Sequence, residues 1–181
     1  QLNTLQQAKE AYTDKFRWWR LWTLMVLILS AGYTTAQTVG WEEGTPDFPS
    51  SILTVNDEIP LNIKFTPLTS QIEKAQLKIT IPAGLEYKKV TNGTGHTSTI
   101  TYTTGISGDV STEQILLISF ISNNSALLPN EKVDLQVILS PVCGAAGGTV
   151  KVGMLSNDAL LGEEKSVSYT TQSPEIIARF E

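Results

Sequence analysis

The chain has 181 residues, of which 41% are hydrophobic and 17% are charged. This composition is that of an ordinary folded protein and excludes the low-hydrophobicity, high-charge class of disordered chains. Residues 1–36 carry four Lys or Arg against two Asp or Glu, whereas the remainder carries nine against sixteen. Such an acidic body, in which the cations form no run, repels phosphate backbones and argues against nucleic-acid binding.

The N-terminal region has the residue order of a secretory signal peptide. A basic stretch at 15–20 precedes an uncharged apolar run at 21–29, and small and polar residues follow at 30–36. The apolar run is shorter than the roughly 20 residues of a membrane-spanning helix. We therefore predict that residues 1–36 form an N-terminal extension and a helical signal peptide, cleaved between Ala36 and Gln37. An uncleaved membrane anchor is the alternative, since the Trp-rich flank also suits a membrane interface.

The remainder of the chain reads as a series of short strands. Apolar and polar residues alternate at 61–66, 76–81 and 133–139, which is the pattern of half-buried strands. The run 115–121 is apolar on both faces and predicts a central strand, or one that is covered on its outer face. Further strands are predicted at 52–55, 85–90, 98–104, 114–121, 149–155 and 166–171. The predicted core comprises Leu77, Ile79, Ile81, Ile118, Phe120, Val133, Leu135 and Val137.

This pattern predicts an all-β fold, an immunoglobulin-like two-sheet β-sandwich of about 7–9 strands, because many short strands punctuated by Gly, Pro and Asn are typical of sandwiches. We place the sandwich at residues 50–173. Residues 37–49 are predicted to be a flexible N-terminal segment, and residues 174–181 the start of a linker or of the next module. Strand order does not follow from one sequence.

Two short motifs resemble DUF11-like modules of large bacterial surface proteins. The first is Ile81-Pro82-Ala83-Gly84-Leu85 with its preceding strand, and the second is Leu128-Pro129-Asn130-Glu131 before Val133. Asn130 stands where that family usually has Gly, and both residue types tolerate a left-handed turn. The resemblance implies an extracellular module of adhesins and surface-layer proteins, often of Bacteroidota, with no shared catalytic residues.

The residues that catalysis or metal binding would need are scarce. The single cysteine, Cys143, is predicted to be a small buried hydrophobe, and the single histidine, His96, lies in a glycine-rich turn. One Cys and one distant His cannot form a zinc site. Calcium at 56–58 or at 157–158 is conceivable because oxygen ligands cluster there. We predict no catalytic residue, no cofactor and no metal site.

We therefore expect an exported, non-enzymatic structural or adhesive module of a larger surface protein, located at the cell surface or secreted. Its partners would be other domains of that protein, and a host or matrix protein or a glycan. The membrane would be contacted only through the signal segment before cleavage. The alternative is a carbohydrate-binding or other accessory module of a secreted enzyme, in which Trp41 or Tyr102 would stack on sugar rings.

Overall fold

The computed structural model describes residues 38–95 and 100–172, and all structural statements below concern these residues. The predicted signal peptide and the segment 174–181 lie outside them. A 3₁₀ turn spans Asn123–Ser125. The ten strands are β1 (Val39–Trp41), β2 (Ile52–Thr54), β3 (Ile59–Pro67), β4 (Gln76–Ile81), β5 (Leu85–Asn92), β6 (Tyr102–Ser107), β7 (Gln114–Phe120), β8 (Val133–Pro141), β9 (Gly148–Ser156) and β10 (Ala159–Gln172).

The strands form two sheets. One sheet has four strands in the order β1-β3-β8-β5, and the other has six in the order β2-β10-β9-β4-β7-β6. Neighbours pair antiparallel except β2, which pairs parallel to β10. The chain passes repeatedly from one sheet to the other, so each sheet combines strands distant in sequence. The predicted immunoglobulin-like two-sheet sandwich is therefore confirmed, with ten strands where about 7–9 were expected.

The core lies between the sheets and is built by alternate residues of the central strands. All eight side chains predicted to form the core are buried there. Strand β7 lies between β4 and β6, as expected of a strand that is apolar on both faces. Its inward residues are fully buried, whereas Ile115 and Leu117 on the outer face are half-buried. The alternation in the sequence thus identified both the strands and the side of each that faces the core.

The N-terminal segment predicted to be flexible packs against the sandwich instead. Within it, β1 pairs with β3, and the Trp41 ring lies 5.4 Å from that of Phe65. Phe48 is buried and makes an edge-to-face contact with Tyr169. Apolar side chains therefore hold residues 38–49 to the core, and the domain begins before the predicted boundary at residue 50.

Two further elements differ from the prediction. The strand predicted at 98–104 corresponds to β6, which begins at Tyr102 because residues 100 and 101 are not in a strand, whereas residues 98 and 99 lie outside the described residues. Strand β10 begins at Ala159 rather than at 166, and its pairing with β9 shifts between Leu161 and Lys165. Gly162 lies in this irregularity with φ of 71°. The bulge breaks the two-residue period, which explains why the first half of β10 shows no alternation in the sequence.

The sandwich has two opposite poles, which we name by the chain ends that reach them. At the entry pole, the Leu68 amide donates to the carbonyl of Thr38, just beyond the end of β3. At the exit pole, the Val55 amide donates to the carbonyl of Gln172, and the next amide, of Asn56, donates to Pro141 at the end of β8. Strand β3, which has nine residues, runs from the exit pole to the entry pole, so the two poles lie roughly 30 Å apart. The described chain therefore enters at one pole and leaves at the other.

Candidate functional site

Each sheet ends in two edge strands, and three of the four edges are protected against pairing with another chain. β1 and β2 are only three residues long. β5 carries Lys88 and Lys89, and its pairing with β8 shifts between Tyr87 and Lys89. Short strands, lysines and bulges are the features that keep sheet edges from adding strands.

β6 lacks all three of these protective features. It has six residues, Tyr102–Ser107, which pair in one continuous register with β7 and with no other described strand. The sequence from 97 to 108 contains neither a charged residue nor a proline. The missing charges and prolines were visible in the sequence, but the position of β6 at a sheet edge was not. Among the described strands, β6 is therefore the edge most open to pairing with another chain.

The backbone of β6 alternates between groups that bond to β7 and groups that face outward. The Ile121 amide donates to the Thr101 carbonyl. This bond determines which residues of β6 are hydrogen-bonded to β7 and which are not. In an antiparallel pair every second residue is hydrogen-bonded to the neighbour. Thr103 and its alternates therefore bond to β7, whereas Tyr102, Thr104 and Ile106 direct their N–H and C=O groups away from the sheet.

The side chains of these outward-bonding residues lie on the inner face of the sheet. They pair with Phe120, Ile118 and Leu116 of β7, all of which are core residues. At the margin of the core they are less covered, and Ile106 is 47% exposed. Burial, and to a smaller extent the nearby Tyr87, raises the pKa of Tyr102 above its usual range. The edge thus offers apolar and hydroxyl side chains beside its free backbone groups.

A second candidate surface is a polar groove on the outer face of the four-stranded sheet. Its volume is about 510 Å³, and its lining includes Glu42, Glu43, Lys64 and Asp134. The Gln136 amide nitrogen donates to the Asn62 side-chain carbonyl across the floor, at 3.2 Å. The lining is acidic overall, with four carboxylates and one lysine.

Asp134 holds the loop that follows β5. Its side chain is nearly buried and lies 3.9 Å from Lys64 Nζ, and it accepts a hydrogen bond from the Gly95 amide at 2.9 Å. Its backbone carbonyl accepts another from the Gly93 amide. A Cβ at residue 93 would clash with the carboxylate, so only glycine lets the loop approach this closely. These contacts give Asp134 a positioning role in the fold.

The carboxylates considered for calcium do not converge. In the part of the chain that the structure describes, no group of three or more His, Cys, Asp or Glu side chains could hold a metal ion. Asn157 and Asp158 have φ of 49° and 65° in the tight turn between β9 and β10, which explains their residue types by turn chemistry. Glu58 lies 3.7 Å from Lys89, an exposed ion pair.

The structure corrects the prediction for Cys143, which is exposed rather than buried. It lies in the connection between β8 and β9 at the exit pole. This connection contributes to an open cavity of about 480 Å³, lined also by Gly84 and Ser111. Surrounding glycines and alanines leave the thiol uncovered, so its position in a turn outweighs the general tendency of cysteine to be buried.

The residues considered for sugar stacking are occupied by packing. Trp41 is half-buried against Phe65, and both Trp41 and Tyr102 pack against the core. Both side chains are only partly exposed. The predicted cleavage residues Ala36 and Gln37, and His96, lie outside the described residues. The described residues include no helix long and apolar enough to cross a membrane.

No family model and no curated protein matches the chain. Among solved structures, the cohesin module from the Clostridium perfringens ATCC13124 family 33 glycoside hydrolase aligns with a TM-score of 0.48 at 9% identity, covering 78% of this chain and 100% of that one. The full-length major pilin SpaD from Corynebacterium diphtheriae aligns at 0.47 and 12% identity, covering 75% of this chain and 33% of the pilin. An uncharacterized protein from Nocardia farcinica with an immunoglobulin-like fold aligns with a TM-score of 0.41 at 11% identity, covering 79% of this chain and 89% of that one. Similarity at this level carries no information on function.

Proposed function

We propose that the chain is an exported, non-enzymatic structural or adhesive module that spaces or presents neighbouring domains of a larger cell-surface protein. The observation that carries the proposal is the placement of Thr38 and Gln172 at opposite poles of the sandwich. A domain attached beyond Gln172 would therefore present the entry pole, and Thr38 with it, roughly 30 Å away. A module whose ends lay side by side would add little reach.

The strand pairing suits a module that carries load between a partner bound at the entry pole and a domain attached beyond Gln172. β1 begins at the entry pole and is hydrogen-bonded to β3, whereas β10 ends at the exit pole and is bonded to both β2 and β9. Antiparallel ladder bonds run perpendicular to the strands. Tension between the poles therefore loads these bonds side by side rather than one after another, which favours mechanical resistance.

The two turns that resemble DUF11-like modules support membership of that class of surface module. Gly84 has φ of 86° and Asn130 has φ of 62°, so both motifs place a residue type that tolerates positive φ at a turn that has it. The non-enzymatic part of the proposal is supported by the engagement of the groove's polar groups in the fold, above all Asp134 and Gln136. Partners would be the neighbouring domains, and host or matrix proteins or glycans.

The exposed Cys143 provides a direct test of surface location, since it is the only cysteine in the chain. Intact bacteria that express the chain are treated with a membrane-impermeant maleimide. We expect labelling of the wild type and none of the Cys143→Ser control. The intact mass of the labelled protein should correspond to loss of residues 1–36. Labelling only after lysis, or a mass that retains 21–29, would contradict export with cleavage.

The non-enzymatic part has a separate test. The purified chain is treated with chelator and screened against polysaccharide, peptide and ester substrates, and we expect no turnover. Turnover that disappears in Asp57→Ala or Glu58→Ala would show that these exposed carboxylates act chemically and would overturn this part of the proposal.

A further inference from the structure

We infer that β6 pairs with β6 of a second copy of the chain, antiparallel and about a two-fold axis at Thr104, so that two six-stranded sheets become continuous. The inference goes beyond the proposed spacing role, and it holds or fails independently of export. It starts from the one edge among the described strands that is neither short, bulged nor charged.

The backbone of β6 is complementary to itself in this register. Tyr102, Thr104 and Ile106 direct their N–H and C=O groups outward, because their alternates already bond to β7. With Thr104 opposite Thr104 of the second copy, each Tyr102 lies opposite an Ile106. Each of these three pairs exchanges two hydrogen bonds, about six in total. No outward group along this stretch of the edge is left without a partner.

The side chains match in the same register. On the inner face, tyrosine would meet isoleucine twice and threonine would meet threonine once. Aromatic–β-branched and Thr–Thr cross-strand pairs each stabilise a sheet by roughly 0.2–1 kcal/mol. On the outer face, Thr103 would lie opposite Gly105, where a side chain would meet nothing within 4 Å. The register therefore creates no steric conflict on that face.

Charge selects this edge for a second copy. The chain beyond residue 36 has nine Lys or Arg against sixteen Asp or Glu, so two copies repel each other over most of their surface. Neither β6 nor its neighbour β7 contains a charged residue. By contrast, β1 is followed by Glu42 and Glu43, and self-pairing of β5 would bring lysines together. Of these three edges, β6 allows the closest approach with the least repulsion, and the fourth, β2, is uncharged but only three residues long.

The interface is small, which sets how it must be measured. A ladder of six residues on each side is less than the roughly 1,200–2,000 Å² of a standard stable interface. We therefore expect a weak dimer, populated at high concentration or where modules are crowded side by side. Sedimentation equilibrium of the whole chain, in a Cys143→Ser background and at concentrations up to roughly 1 mM, covers dissociation constants into the millimolar range.

Substitutions at Thr104 separate pairing from folding. Thr104→Pro removes an outward N–H and no bond to β7, and proline is tolerated at edges in that position. We expect it to leave the circular dichroism spectrum unchanged and to weaken dimerisation by about tenfold or more. Thr104→Lys and Thr104→Glu should each be monomeric, because like charges would lie directly opposite each other. An equimolar mixture of the two should form a heterodimer.

Thr103→Lys is the matched control, since residue 103 is an exposed threonine one position away on the opposite face and would lie opposite Gly105. It should dimerise within about threefold of the wild type. A wild type that stays monomeric throughout the concentration range overturns the inference. So does a dimer that persists in Thr104→Pro, because another surface would then be responsible, and so does a Lys–Glu mixture that remains monomeric. Binding of an unrelated extended peptide at β6 by a monomeric wild type would equally replace the second copy as its occupant.

Discussion

At the residue scale, Leu135 shows how the core sets stability. It lies in the middle of β8 with no exposed surface, between the two sheets. Leu135→Ala should lower the free energy of unfolding by roughly 2–5 kcal/mol, the sum of lost transfer energy and the cavity left behind. Urea denaturation measures the difference, with Lys151→Ala on the exposed face of β9 as control. A loss below about 0.5 kcal/mol, the range of surface substitutions, would show that the facing of β8 is misassigned.

Asn130 tests the turn that precedes β8. Its φ is 62°, its side chain is exposed, and its backbone amide donates to the Pro67 carbonyl. Substitution of the side chain leaves this backbone hydrogen bond in place. Asn130→Gly should leave the stability within about 0.5 kcal/mol, whereas Asn130→Ala should cost about 1 kcal/mol because alanine is strained at positive φ. Thermal or urea unfolding of the two variants and the wild type measures these differences in stability. Equal stability of the two variants would mean that the turn is not left-handed in solution.

Tyr169 is a buried tyrosine whose hydroxyl has no hydrogen-bond partner among the described residues. Replacing an unsatisfied buried polar group by an apolar one of the same shape is neutral or favourable. Tyr169→Phe should therefore change the free energy of unfolding at pH 7 by between about 0 and +2 kcal/mol. A destabilisation of more than about 1 kcal/mol would reveal a partner for the hydroxyl.

The stability of Tyr169→Phe should also depend less on alkaline pH than that of the wild type. Burial raises the pKa of Tyr169 above its ordinary value. The folded state thus favours the neutral hydroxyl, and this contribution to stability is complete below the unfolded pKa of about 10 and is lost as the pH rises through the higher folded value. As the pH rises above about 10, Tyr169→Phe should therefore lose less stability than the wild type. Tyr102 retains its own alkaline effect in both proteins.

Alternation and turn residues predicted the buried faces and the local conformation, whereas residue type alone did not predict burial. The left-handed turn at Asn130 and the eight core residues follow from local chemistry and from period-two alternation, and the structure has both. Cys143 did not follow its general tendency, because the packing around a turn depends on which segments approach it in space. The contacts of Asp134 with Gly93 and Gly95 were equally invisible, since they join residues about forty positions apart.

At the element scale, amide hydrogen exchange tests the alternation in β6. The amides of Thr103 and Gly105 bond to β7 and should exchange slowly, whereas those of Thr104 and Ile106 should exchange at least about tenfold faster in dilute solution. At concentrations that favour pairing, protection should rise at residues 102, 104 and 106 but not at 103 and 105. Uniform protection along β6 in dilute monomer would contradict its placement at a free edge.

The elements that the sequence missed lack the signal on which strand prediction depends. β1 has three residues and is followed by Glu-Glu-Gly, which is too short for any alternation to show. The first half of β10 contains the bulge around Gly162. The alternation of inward and outward side chains before the bulge is therefore shifted relative to the alternation after it. In β6, the threonine-rich sequence has strand propensity along its whole length, so its start could not be located from composition.

At the scale of the whole molecule, the order of the strands depends on contacts that no local pattern contains. β2 pairs with β10 across more than a hundred intervening residues. That pairing carries Gln172 to the exit pole, while the short β1 fixes Thr38 at the entry pole. The sandwich class was therefore predictable from alternating strands, whereas the placement of its two ends, on which the spacing role depends, required the structure.

The distance between the two ends tests the spacing role most directly. Thr38→Cys and Gln172→Cys are combined in a Cys143→Ser background, and the two thiols are spin-labelled for a distance measurement by pulsed electron paramagnetic resonance. We predict a single narrow distribution centred at roughly 25–40 Å, set by the length of β3 and by the labels. A distribution centred below about 15–20 Å would place both ends at one pole and would contradict the account.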